Sequence, residues 1–366
     1  MLRRLYLIGL LLGYAYNAMG VEQEWLLDSP RVWGRGRTFV AAPDSDEASR
    51  FNPATLAEPD ISFQLRLLQL DGMIGENTID TISDLVSAAG SSDAIGLLSK
   101  FDKKFGERQS FKLQGSLFSM RFGAFEISPF GLNNSWLELS NPSIPNMEWK
   151  ADSLAGLSIS YGLELFTSFF IGLTVRPMYR WHIAGNIAFV DIIDFVGASD
   201  INFETFTPLT SGAYVAGDLG MVWNLSPDFR WGLTFRNIGD ASVTNEFATS
   251  PPALRQIVST GIFSRWPGDT FNLDYYLDIH SLTNRDGLNL LRLVNTGAEL
   301  GTSYLSRDHD FGIQAGLNEG YFCTGMFADL LFMRFDLVNY GVELGHTPGQ
   351  IPERRWGLSA RSTMTF

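Results

Sequence analysis

The side chains that could do chemistry are few and scattered. The 366-residue chain has four histidines, His182, His280, His309 and His346, and a single cysteine, Cys323. Hydrolysis by a serine nucleophile needs a serine, a histidine and an acid converging in space, which separated residues do not reveal. No Gly-x-Ser-x-Gly elbow marks a nucleophile, and neither a His-Glu-x-x-His zinc motif nor a glycine-rich phosphate loop occurs. One cysteine makes no intramolecular disulfide and anchors no cysteine-based metal site. His280 falls on a predicted strand and the other three fall near strand ends or loops, where a solvated or pore-facing histidine is the ordinary case. These residue types imply no enzyme, no metal and no cofactor.

Charge removes another class. Arg3 and Arg4 precede an apolar run from Leu5 to Leu12, and Ala18 and Gly20 are small residues at the offset of a cut before Val21. This reads as a secretory signal peptide over 1–20. A membrane anchor is the alternative, but the run is far short of the ~20 residues that a spanning helix needs. Without Arg3 and Arg4, 25 of the 27 basic residues face 40 acids, a formal charge of −15. Nucleic acid is thereby excluded as a partner, because binding it rests on neutralising phosphates with Lys and Arg.

The elements that must position any site are strands. Beyond the signal no run approaches 18 apolar residues, yet 45% of the chain is hydrophobic, 13% aromatic, and 36 residues are glycine. From Phe271 to His280, Phe271, Leu273, Tyr275, Leu277 and Ile279 alternate with Asn272, Asp274, Tyr276, Asp278 and His280. The same period of two places Leu157, Ile159, Tyr161 and Leu163 opposite Ser158, Ser160, Gly162 and Glu164, and it recurs at 229–236, 294–301 and 338–345. A soluble sandwich also alternates. The flanking aromatics Trp223, Trp231, Trp266 and Tyr304 instead suit the girdles of a transmembrane barrel, and faces mixing Gly with Asp, Glu, Asn and Arg suit a wet or plugged lumen. The chain ends in a strand with Leu358, Ala360, Met364 and the terminal Phe366 on one parity. That ending resembles the recognition signal read by the outer-membrane barrel-assembly machinery.

Strands are predicted near 61–71, 110–128, 133–141, 152–163, 167–180, 212–225, 229–239, 253–265, 270–280, 292–304, 309–318, 321–330, 333–346 and 353–366. The fold class is therefore all-β, an antiparallel transmembrane barrel of about 14 strands over 61–366, with outer-membrane lipid around it. An even count brings both ends to one side, and connections after even strands are short while long ones follow odd strands, as short periplasmic turns and long outer loops require. Pro129 and Gly131, between the second and third strands, mark a turn or a bulge. The loop 74–105 carries Ile79, Ile82, Leu85, Val86 and Ala89, then Leu97, Leu98, Phe101 and Phe105, at helical spacing. It reads as a pair of short helices over the barrel mouth or as a lid over a hydrophobic site, and 187–195 shares that ambiguity. Residues 21–60 precede the first strand and either trail in the periplasm or fold into the lumen as a plug.

The stretch Gly34-Arg35-Gly36-Arg37-Thr38-Phe39-Val40-Ala41-Ala42, followed by Asp46-Glu47-Ala48-Ser49-Arg50-Phe51-Asn52-Pro53-Ala54-Thr55-Leu56-Ala57, resembles the start of mature barrels of the long-chain fatty-acid transporter (FadL-like) superfamily. Gly217-Asp218-Leu219-Gly220-Met221-Val222-Trp223, Trp231-Gly232-Leu233-Thr234-Phe235-Arg236-Asn237-Ile238-Gly239-Asp240 and Asn295-Thr296-Gly297-Ala298-Glu299-Leu300 look more like the TraF-type and PorV-type relatives. The resemblance implies a lumenal plug containing Asn52, Pro53 and Ala54, and passive uptake of hydrophobic small molecules such as long-chain fatty acids. It also implies sideways release through a gap in the wall, for which the kink around Pro129 and Gly131 is the sequence candidate. Phe101 and Phe105 are candidates for an outer hydrophobic groove. The TraF-type and PorV-type likeness implies instead a non-transporting barrel that docks a protein partner in secretion, surface attachment or conjugal transfer. An open diffusion pore is a third reading, disfavoured because a folded plug obstructs a lumen of ~14 strands. Physically, Pro53 fixes φ and keeps Asn52 extended, while the Asn52 amide closes a local turn.

Overall fold

The computed structural model describes residues 27–58, 61–81, 106–140, 146–188, 209–243, 250–302 and 311–366. Fourteen strands close into one barrel: β1 (Phe63–Gly75), β2 (Arg108–Phe122), β3 (Phe125–Ser140), β4 (Asn146–Phe166), β5 (Phe169–Ala188), β6 (Thr210–Ser226), β7 (Phe229–Arg236), β8 (Ile257–Trp266), β9 (Phe271–Ile279), β10 (Val294–Thr302), β11 (Phe311–Asn318), β12 (Tyr321–Leu330), β13 (Met333–Glu343) and β14 (Pro352–Thr365). Each strand pairs antiparallel with its neighbours in sequence, and β14 returns to β1. Closure leaves the sheet without a free edge strand, the condition for a sheet to span a membrane. Among the described residues no helix is long and apolar enough to cross one.

The alternation in the sequence becomes two faces. In β2, Phe111, Leu113 and Met120 are exposed on the outside while Lys112, Gln114 and Arg121 are buried within. In β9, Phe271 and Tyr275 face out while Asp274, Tyr276 and Asp278 face in. Trp223 and Trp266 are exposed near the rim of short turns, where an aromatic girdle belongs. At the closing seam Phe366 exchanges backbone hydrogen bonds with Phe63 and stacks on its ring at 5.7 Å, and Leu358 and Met364 lie on the same outer face.

Wall height is uneven. β4 and β5 have 21 and 20 residues, whereas β7 and β11 have 8. A spanning strand needs ~9–11. The β4–β5 wall therefore rises furthest on the side of the long loops.

The second and third strands correct the sequence reading. The hairpin turns at Gly123, whose φ of +57° suits a glycine, and Ala124, because Phe122 pairs with Phe125. Pro129 and Gly131 lie within β3 instead of between strands. A proline survives there because the ladder to β2 is broken: Gly115 pairs with Gly131 and Met120 with Ile127, leaving four residues of β2 opposite three of β3 without partners. In the loop after β1 the chain is helical from Glu76 to Thr81. Phe101, Phe105, the rest of that loop's predicted helices, the segment 189–195 and the signal peptide lie outside the described residues.

Residues 27–58 fill the lumen. A short helix, Pro30–Gly34, and two 3-10 turns, Ser45–Glu47 and Pro53–Ala57, punctuate an otherwise irregular chain that is almost wholly buried.

Candidate functional site: plug, apolar patch and wall

The plug is held by geometry that irregular backbone needs if it is to be buried. Asn52 is extended, with φ −131°, and its Oδ1 accepts the N–H of Ala54 at 3.1 Å. Its Nδ2 donates to the carbonyl of Val40 at 2.6 Å and to that of Met221 in β6 at 3.3 Å. One amide thus caps the 3-10 turn, ties two plug segments together and pins both to the wall. Pro53 and Ala54 lie so close to Gly172 of β5 that a Cβ there would overlap the plug backbone, and Gly297 of β10 admits the carbonyl of Arg35 in the same way. Asp278 of β9 accepts the N–H groups of Phe39 and Val40 at 2.7 and 2.9 Å.

Ion pairs complete the hold. Arg50 meets Asp71 of β1 at 2.6 Å, and Gln114 and Ser359 also donate to that carboxylate. Arg37 meets Glu319 at 3.0 Å, and Arg230 makes two contacts with Glu58 at 2.6 and 2.9 Å. Asp44 lies between Arg31 and Arg35, and Asp46 bridges Arg31 to Arg361 of β14 at 2.7 Å. Burial pushes the Asp44 and Asp46 carboxyls up, but Arg31 and Arg35 on the first, and Arg361 and Arg31 on the second, outweigh it and hold both below the usual range. Glu58 goes the other way, because burial outweighs the pull of Arg230.

Around Leu27, where the described plug begins, the lumen changes character. Phe130 and Leu132 of β3, Leu154 of β4, Met178 of β5 and Tyr214 of β6 pack with Leu27, Ala241 and Leu254 in one buried apolar cluster. Phe130 and Leu132 immediately flank Gly131, so the cluster backs onto the wall beside the broken β2–β3 ladder. In that gap Ser119 Oγ lies 2.7 Å from Ser128 Oγ and 3.3 Å from Ser116 Oγ, three hydroxyls standing in for missing rungs. On the neighbouring rungs, Asp152 receives Arg180 Nε at 2.7 Å, His182 Nδ1 at 2.8 Å and Lys150 at 3.3 Å.

The structure thus brings Asn52, Pro53 and Ala54 together in the plug and places Pro129 and Gly131 at the broken ladder, about which Phe101 and Phe105 are silent because they are not described. Sequence reasoning missed two groups. The lumenal arginines Arg66, Arg121, Arg176 and Arg236 sit on inward parity, a signal that was legible strand by strand. The apolar cluster was marked only by strand positions where the inward parity, normally polar, reads Phe130, Leu132, Leu154 and Met178.

No protein-family model matches the chain, and no curated protein matches it. Solved structures do. The toluene transporter TbuX of Ralstonia pickettii superposes with a TM-score of 0.51 at 11% identity, covering 96% of this chain and 100% of that one. The CymD monoaromatic hydrocarbon channel gives 0.54 at 11% identity over 94% and 98%, and the P. putida toluene transporter TodX gives 0.50 at 11% over 94% and 99%. The chain shares its fold with these three barrels.

Proposed function

We propose that this barrel takes up hydrophobic small molecules passively, admitting them from the long-loop side and releasing them sideways through the wall between β2 and β3. The observation that carries the reading is the position of the apolar cluster of Phe130, Leu132, Leu154 and Met178, beside the stretch of β3 that lacks its β2 partners. A greasy solute gains by leaving water for such a patch, and the broken ladder beside it is where we place the exit. The neighbours of known structure that carry toluene or monoaromatic hydrocarbons share the fold and support the same solute class. Long-chain fatty acids are the finer reading. Lys150, Arg180 and His182 gathered around Asp152 next to the patch suit a carboxylate head with its tail among the apolar side chains. Export by the 1–20 signal and insertion by the assembly machinery through Phe366 belong to this reading.

The test is transfer of a fluorescent long-chain fatty acid, and separately of toluene, into liposomes holding the refolded protein. Leu154→Asp, which puts a charge in the patch, is expected to cut transfer at least tenfold while the barrel still resists heat in detergent gels. Saturable transfer of toluene but not of the acid would remove the fatty-acid reading and keep the class. No transfer of either above empty liposomes would sink uptake. The scaffold reading, which the tall β4–β5 wall favours as a docking surface, would then be tested by pull-down.

A further inference from the structure

At the rim of short turns, on the side of the closing seam, lies a cavity of about 720 Å³ that reaches from the lumen to the outer face. Its inner wall carries four charges of alternating sign: Asp46 of the plug, Asp329 of β12, Arg334 of β13 and Arg361 of β14. Asp46 meets Arg361 at 2.7 Å and Asp329 meets Arg334 at 3.1 Å; behind the lining Asp336 also holds Arg334 at 3.0 Å, Glu47 faces Arg361 at 3.7 Å and Arg31 faces Asp46 at 3.5 Å, and both lining arginine side chains are only 6% exposed. The outer lip is apolar. Leu331 and Phe332 form the two-residue turn between β12 and β13, and Met364 and Phe366 end the last strand.

The turn is an odd place for those residues. Leu331 has φ +59° and is 73% exposed. Two-residue hairpin turns demand left-handed backbone and normally use Asn, Asp or Gly, since a bulky side chain is strained there and apolar surface in water is unfavourable. A leucine held in that conformation and turned outward at a membrane rim is explained if hydrocarbon covers it.

We propose that this cavity binds a zwitterionic phospholipid of the adjoining leaflet, with its phosphate at Arg334 and Arg361, its ammonium at Asp329 and Asp46, and an acyl chain along Leu331, Phe332 and Phe366. The balance of two acids and two bases selects a head that carries both signs over one that carries only a negative charge, because a purely anionic head leaves the carboxylates facing phosphate. Arg361 is shared with the plug through Asp46, so an occupant that takes its guanidinium competes with a plug anchor. This inference stands whether or not the barrel carries solutes.

The full mature protein in dodecyl maltoside is titrated with short-chain phosphatidylethanolamine, phosphatidylglycerol of the same chains, glycerophosphoethanolamine and inorganic phosphate, and bound species are counted by native mass spectrometry. One phosphatidylethanolamine per barrel is expected, held at least tenfold more tightly than phosphatidylglycerol, with neither phosphate nor the chainless head retained at the same concentration. Asp329→Asn is expected to narrow the preference between the two heads, and Phe332→Ser, on the exposed turn, to weaken both lipids alike. Retention of phosphate alone would reassign the site to a free anion. Equal retention of both lipids, or an unchanged count in the two variants with the barrel still heat-resistant, would overturn the proposal.

Discussion

Two stretches of this barrel's wall treat the lumen in opposite ways. At the level of the plug the wall grips from both sides: Gly172 of β5 gives way to Pro53 and Ala54, Gly297 of β10 to the carbonyl of Arg35, Asp71 takes Arg50, and Arg361 takes Asp46. Around Gly131 of β3 the wall does the reverse. Rungs are missing beside Pro129, hydroxyls fill the gap, and Phe130, Leu132, Leu154 and Met178 turn apolar side chains inward. The contrast teaches that backbone closeness and ion pairs are concentrated where a segment must stay put, and that hydrogen bonding between strands is relaxed where no plug backbone presses on the wall.

The largest effect that would break this contrast comes from glycines. Gly297→Val places a branched side chain in the plug backbone, whereas Gly131→Val enters open space with no heavy atom within 4 Å of its Cβ. Valine is well suited to strands in general, so only the plug distinguishes the two. Gly297→Val is expected to produce steady ion conductance in planar bilayers, absent from the wild type, and Gly131→Val to leave conductance unchanged. If the two variants behave alike, the grip does not depend on close approach.

Next in size is the buried pair. Arg50→Met leaves the Asp71 carboxylate, 0% exposed, without its cation, and breaking a buried pair costs about 3 kcal/mol. Arg285→Met removes an outer pair with Asp240 whose side chains are 46% and 39% exposed, where less than about 1 kcal/mol is at stake. Urea midpoints for protease cleavage within the plug check the difference. Equal midpoints in both variants would show that Arg50 is not an anchor.

A smaller effect probes the relaxed wall. Pro129→Val supplies an N–H and a strand-forming side chain, and one recovered hydrogen bond is worth about 1 kcal/mol. Unfolding in urea is expected to move up slightly and solute transfer to fall severalfold. Faster transfer in a more stable variant would place the exit elsewhere.

How much of this was legible beforehand follows from period. Strand number, order and the short-turn and long-loop asymmetry come from alternation and from breakers such as Pro227 and Pro267, which report on neighbours in the chain. The β2–β3 turn did not, because Pro129 and Gly131 are strong punctuation and Gly123-Ala124 is weak. What permits a proline inside β3 is a fault in the ladder to β2, a property of two strands that neither shows alone. The local turn at Asn52 was readable from Asn-Pro. Its bonds to Val40 and Met221, 12 and 169 residues away, were not. Likewise the partners of Asp71 come from the plug, β2 and β14, and only closure of the barrel assembles them.

The finest test of the gripping wall is acid. Asp46 is held at about 2, against an ordinary 3.8, and Asp44 is also depressed. A carboxyl whose folded value is lowered contributes stability that is fully present above its unfolded value and is lost as pH falls through its folded one. The hold of Asp44 and Asp46 should therefore be complete from about pH 4 upward and loosen toward about pH 2, while the backbone ladder, which does not titrate, stays closed. Glu47 and Glu58 oppose this in part, since burial raises both, which favours the folded state at low pH and gives that up as pH rises. The net expectation is a modest acid step, read as pepsin cleavage of the plug between pH 4 and 2 with the barrel fragment intact. Asp44→Asn combined with Asp46→Asn should start looser at pH 6 and show a smaller step. An undiminished step in that double variant would move the acid response away from the plug's arginine pairs and into the strands.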